Sequence, residues 1–121
     1  INDVIADMGD MAPPSYGSLD NFTNLTKHWG EMKGFALGLQ FSPVSPFRTT
    51  ETIGGIDGTE ALRRVLSLMG DAPVLADGSQ GGVAPSGTAA EALAAYEAKL
   101  LEARDLMQEA YALNPDAVSI W

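Results

Sequence analysis

The sequence predicts an all-α protein: a helical bundle with two long helices, one short helix and long ordered loops. Two segments, 18–41 and 89–113, carry apolar residues alternately three and four positions apart, which places them on one face of a helix. Ahead of the second segment, Thr88 and Glu91 have the spacing of a capping box, a pattern typical of helix N-termini. No strand pattern competes with these signals, so we predict helices throughout.

The composition narrows the functions open to the chain. Its 121 residues suit a single domain, residues 1–121, or the C-terminal part of a larger helical domain. With 16 acidic and 7 basic side chains and no basic cluster, the net charge of −9 argues against nucleic acid as a partner. The absence of cysteine excludes disulfides and thiol catalysis. No apolar run approaches the ~18 residues that a transmembrane helix needs.

The first residues predict a short helix that ends at a proline pair. The segment 12–15 contains both prolines and breaks the helix. Three aspartates share one face of this helix, and we interpret Asp3, Asp7 and Asp10 as a solvated row. The apolar residues with helical spacing are Val4, Ile5, Met8 and Met11.

The segment 18–41 gives a strong helical signal. Ser18 or Asn21 is suited to cap its start, and Ser42-Pro43 ends it. Three glycines stand four residues apart on a second ridge of this helix, and we expect the ridge to pack closely against helix 89–113. The apolar stripe consists of Phe22, Leu25, Trp29, Met32, Ala36 and Leu39, and the ridge consists of Gly30, Gly34 and Gly38.

The rest of the chain alternates loops with helices. We predict ordered loops over 42–57 and 70–87, a short helix over 59–69 and the last long helix over 89–113. The apolar residues of the tail after this helix, which we expect to dock on the bundle, are Val118, Ile120 and Trp121.

The loop lengths and the long helix predict that the chain needs a partner. Loops longer than about 12 residues usually belong to a functional site or to a larger assembly. Helix 18–41 is apolar on most sides, and the other helices are too few to cover it. The chain also opens at Ile1 rather than at a methionine. We therefore expect another protein chain, an upstream segment of the same precursor or a second copy of this chain to complete the bundle.

The single histidine supplies the candidate metal site. His28 and Glu31 stand three residues apart on helix 18–41, so their side chains are neighbours on the helix surface. Helical bundles bind transition metals through similar pairs in the order Glu-x-x-His. The pair therefore predicts two metal ligands, with the others supplied by carboxylates, water or another segment. The alternative is a core-edge histidine held in one tautomer by a carboxylate.

The segment 28–40, His-Trp-Gly-Glu-Met-Lys-Gly-Phe-Ala-Leu-Gly-Leu-Gln, resembles a helix of imelysin-like proteins. Their mark is Gly-x-His-x-x-Glu followed by an apolar run, and Thr26 stands at its first position here. Together with 71–75 and 109–121, the segment is also similar to a bacterial family, the DUF4856 proteins. The resemblance implies a helical protein that is exported to the periplasm or cell surface and associated with iron uptake. It places the family's histidine and glutamate at His28 and Glu31.

Three functions follow from these observations. The first is a non-catalytic, exported helical bundle that binds a divalent metal (iron, zinc or calcium) or a small ligand near His28 and Glu31. The second is a structural or interaction module that assembles with another chain and has no metal site. The third is a metallopeptidase, for which the sequence lacks the paired histidines of zinc proteases, since it contains one histidine.

Overall fold

The computed structural model describes residues 1–10, 18–50 and 52–118. These residues form a mostly helical structure with one two-stranded sheet, which confirms the all-α prediction. The helices are α1 (Asn2–Asp10), α2 (Leu19–Gly38), α3 (Pro46–Thr49), α4 (Gly58–Met69), α5 (Ala89–Tyr111) and α6 (Pro115–Val118). The strands are β1 (Thr52–Ile53) and β2 (Ile56–Asp57).

Side chains cap the three longest helices of the described residues, and two of these caps, at Ser18 and Thr88, stand where the sequence indicates them. Ser18 Oγ accepts a hydrogen bond from the Asn21 backbone N–H at 3.1 Å, so Ser18 is the N-cap of α2. The capping box at the start of α5 is present in both directions between Thr88 and Glu91. Asp57 caps α4 by accepting from two backbone N–H groups of its first turn. The two long helices therefore begin where local chemistry satisfies their free donors.

A small antiparallel hairpin lies within the segment that we predicted as a loop, 42–57. Ile53 pairs with Ile56 across a two-residue turn, and both turn glycines have positive φ angles, +61° at Gly54 and +75° at Gly55. Two consecutive residues in this left-handed region form the tight turn that matches the twist of paired strands. Ile53 is buried, so the hairpin adds one side chain to the core.

The core lies between α4, α5 and the inner side of α2, and α1 packs on α2. Leu25, Val65 and Leu100 are completely buried, and Leu25 belongs to the apolar stripe that the sequence predicts for 18–41. Two polar side chains connect α2 to the end of α4. Lys33 Nζ donates to the Leu66 carbonyl oxygen at 2.7 Å, and Trp29 Nε1 lies 3.2 Å from the Met69 carbonyl oxygen. These bonds satisfy carbonyl groups that a helix C-terminus leaves unpaired.

The glycine ridge of α2 is open, which corrects the expectation that it packs against α5. A Cβ atom added at Gly30, Gly34 or Gly38 meets nothing within 4 Å in the described part of the chain. The inner stripe of α2 contacts α1 and α4 instead. Periodicity had correctly grouped the glycines on one face, but no described helix covers that face.

Some predictions fall on residues that the structure does not describe. They are the helix break at 12–15 and the docking of Ile120 and Trp121, whereas Val118 of the same tail is buried. Among residues 1–10, 18–50 and 52–118, no helix has the length and apolar character needed to cross a membrane.

Candidate functional site

His28 on α2 contacts a carboxylate of α1. Its Nδ1 atom lies 2.7 Å from Asp7 Oδ2, and the side chains of His28 and Asp7 are 26% and 12% exposed. Asp7 stands between Val4 and Met8 on the side of α1 that is buried against α2. The expectation of a solvated aspartate row is therefore wrong for Asp7, although Asp3 and Asp10 are exposed. The structure thus supplies the carboxylate neighbour of the alternative interpretation, but from another helix.

Glu31, the second predicted ligand, is exposed one turn further along α2. It forms no hydrogen bond or ion pair with the residues that the structure describes. Within those residues there is also no group of three or more His, Asp or Glu side chains arranged to hold a metal ion. The structure therefore joins His28 to Asp7, and Glu31 contributes nothing to that pair.

The contact with Asp7 fixes the orientation of the His28 ring. A neutral imidazole in this position donates its Nδ1–H to the carboxylate, which leaves Nε2 as the acceptor. The same arrangement occurs behind metal-bound histidines, where a carboxylate holds the ring from its far side. It also occurs where a histidine simply joins two helices. The local geometry alone is compatible with both roles.

A second polar cluster lies next to His28, around Trp29. The indole N–H of Trp29 donates to the Tyr96 hydroxyl at 2.8 Å, and that hydroxyl donates to the Met69 carbonyl oxygen at 2.7 Å. Burial raises the pKa of Tyr96 to about 12, and the hydrogen bond from Trp29 acts in the opposite direction. The cluster links α2, α4 and α5 through groups that are all satisfied. These hydrogen bonds therefore hold α2 and α5 against the end of α4.

The sequence singled out none of these partners. Trp29 belongs to the apolar stripe predicted for 18–41, and its indole N–H meets the hydroxyl of Tyr96 because α2 and α5 pack against the same end of α4. The sequence did contain a signal that Asp7 is buried. Asp7 stands three residues after Val4 and next to Met8, and both of these belong to the buried side of α1.

Comparisons with protein-family models, curated proteins and solved structures found no match to this chain. The resemblance to imelysin-like and DUF4856 proteins therefore stays a prediction.

Proposed function

We propose that this chain is a non-catalytic helical assembly module that pairs with a second copy of itself through the open face of α2. We define the open α2 face as Leu19, Gly30, Gly34, Leu37 and Gly38, with Phe41 just beyond the helix end. The observation that carries the proposal is the glycine ridge, where an added Cβ meets nothing within 4 Å in the described residues.

The open α2 face lowers the stability of an isolated chain in two ways. Each glycine in an exposed helix is about 1 kcal/mol less favourable than alanine. Apolar side chains at both ends of the face are also exposed, 76% for Leu19 and 77% for Phe41. A helix packed on the glycine ridge would cover Leu37 and Phe41, and the glycines would allow its backbone to approach closely. A helical partner therefore offsets both costs at once.

The spacing of the glycines favours a second copy as that partner. The ridge is symmetric about Gly34, so an antiparallel α2 pair centred there places Gly30 opposite Gly38 of the second copy. A two-fold interface of this kind is self-complementary, as in most homodimers. The same register places Lys27 opposite Phe41 of the second copy, which brings a cation to an aromatic ring. Antiparallel helices also align their dipoles favourably.

The experiment is a comparison of mass in solution with one matched control. Sedimentation equilibrium of the wild type at physiological salt should give twice the 12.7 kDa of one chain. Gly34→Gln, which adds a good helix former in the middle of the face, should give the monomer mass and a folded circular-dichroism spectrum. Gly9→Gln tests the same substitution at an exposed glycine of α1 and should remain a dimer.

Two results would contradict the self-assembly proposal. One is a folded wild type that stays monomeric at about 100 µM, a concentration at which a micromolar dimer would be saturated. The other is a Gly34→Gln protein that dimerises as well as the wild type. In the first case the partner of the open α2 face is another chain or another segment of the same precursor.

A metal site at His28 and Glu31 is the second candidate function, favoured by the Asp7 carboxylate behind the His28 ring. His28 Nε2 and the Glu31 carboxylate would be the ligands, with the remaining ligands supplied by water or by a partner. Calorimetric titration with Zn²⁺ should then show one site per chain that is lost in His28→Gln. Equal heats for both proteins would remove this candidate. Export to the periplasm or cell surface, which the resemblance implies, remains a prediction.

A further inference from the structure

A pocket of about 280 Å³ lies beside α2, where α1, α4, α5 and α6 meet. It is on the flank of α2 rather than on the open α2 face, although Phe35 at its rim is 77% exposed. Its walls are mainly apolar and are formed by Met32, Phe35, Met69, Met107, Leu113 and Val118.

Arg104 contributes a guanidinium to the polar part of this wall. Arg104 Nη1 donates to Asn2 Oδ1 at 3.2 Å, whereas its Nε atom is buried and has no hydrogen-bond partner among the described residues. Arg104 forms no ion pair with any carboxylate of the described residues, although the exposed Asp3 also lines the pocket. A guanidinium beside an apolar pocket without a counter-ion is costly, because its charge is only partly solvated.

We propose that this pocket binds a monocarboxylate with an apolar body, of the size of a medium-chain fatty acid. A carboxylate accepts hydrogen bonds from the N–H groups of a guanidinium, and on Arg104 only Nη1 donates to a described residue, Asn2. Arg104 lines the pocket, so a carboxylate bound there would lie beside the guanidinium and neutralise its charge. The apolar body would then occupy the space between α2 and α5.

The volume and the lining set the size of this ligand. A cavity of about 150 Å³ is enough for benzene, so 280 Å³ accommodates a body roughly twice as large. Three methionines, Met32, Met69 and Met107, contribute to the lining, and their unbranched side chains adapt to ligands of different shape. These features favour a flexible alkyl chain over a rigid polycyclic ligand.

Methyl NMR of ¹³C-methionine-labelled protein tests the proposal, with octanoate and octanol as matched probes below their micelle concentrations. Octanoate should shift the methyl signals of Met32, Met69 and Met107 and leave Met8, which does not line the pocket, in place. Its affinity should exceed that of octanol by about tenfold or more, which is the usual value of a charge-assisted hydrogen bond. Arg104→Met should abolish this difference, whereas Arg63→Met, at an exposed arginine of α4, should not.

Each other outcome overturns a stated part of the proposal. Equal affinities of the wild type for octanoate and octanol would show that Arg104 does not bind the carboxylate. This comparison uses only the wild type, so it can be made even if Arg104→Met fails to fold. Shifts that include Met8 as strongly as the pocket methionines, or no shifts at all, would show that the pocket is not a binding site. None of these results depends on whether the open α2 face forms a dimer.

Discussion

Replacing Tyr96 with phenylalanine tests how α2, α4 and α5 are held together. The variant loses the hydrogen bond from the hydroxyl to the Met69 carbonyl oxygen and the one that the hydroxyl accepts from Trp29. The Met69 carbonyl is not left unpaired, because Trp29 Nε1 lies 3.2 Å from it. The expected loss is therefore about 1–2 kcal/mol in the free energy of unfolding, below that of an orphaned buried group.

The contribution of Tyr96 to the free energy of unfolding should decrease at high pH. The pKa of Tyr96 is raised from 10.0 to about 12 in the folded protein, so the unfolded chain releases this proton first as the pH rises. The stabilisation that Tyr96 gives the folded protein is complete below pH 10. It declines above pH 10, because there the unfolded chain binds fewer protons than the folded protein. The difference between wild type and Tyr96→Phe should shrink by up to about 0.8 kcal/mol at pH 10.5.

Urea unfolding at pH 8 and pH 10.5 measures both effects. Tyr111→Phe is the control, since Tyr111 is partly exposed and its hydroxyl has no hydrogen bond in the described residues. That control should change stability by less than about 0.5 kcal/mol. A Tyr96→Phe effect that is the same at both pH values would refute the view that burial keeps Tyr96 protonated.

Three further predictions concern single contacts, each measured by urea unfolding. Asp7→Ala should cost about 1–2 kcal/mol because it removes the partner of His28; a neutral result would mean that the pair does not hold α1 on α2. Thr88→Ala should cost about 1 kcal/mol through the loss of the α5 cap. The hydrogen bonds from Thr88 lower the pKa of Glu91, so the α5 cap should weaken as the pH falls through that pKa. A wild-type protein whose α5 helix content does not change on acidification would contradict this. Gly54→Ala should destabilise by at least about 1 kcal/mol, since φ is +61° and Leu106 Cδ2 would lie 2.5 Å from the new Cβ; equal stability would show that the hairpin turn rearranges freely.

The helices were predictable because their signals are local. The stripes of α2 and α5 depend on a period of 3.6 residues, and the Ser18 and Thr88 caps depend on contacts three residues away. Each signal is complete within one segment of the chain. The hairpin escaped prediction because strands of two residues are too short to show an alternating pattern.

The candidate site was less predictable because its contacts join distant segments. The His28–Asp7 contact spans 21 residues, and the hydroxyl of Tyr96 reaches Met69 across 27. Periodicity shows which side chains share a face, but not which neighbour the face meets. For the same reason it grouped Gly30, Gly34 and Gly38 correctly and assigned them the wrong partner.

A cysteine introduced at the centre of the open α2 face tests the assembly proposal most directly. The chain contains no cysteine, so Gly34→Cys introduces a single thiol. In an antiparallel pair with its two-fold axis at Gly34, the two Cα atoms of position 34 would lie within the separation of about 4.4–6.8 Å that a disulfide requires. Mild oxidation of dilute protein should therefore give a covalent dimer from Gly34→Cys and mainly monomer from Gly9→Cys. Crosslinking of both variants to the same extent, or of neither, would contradict an antiparallel α2 pair.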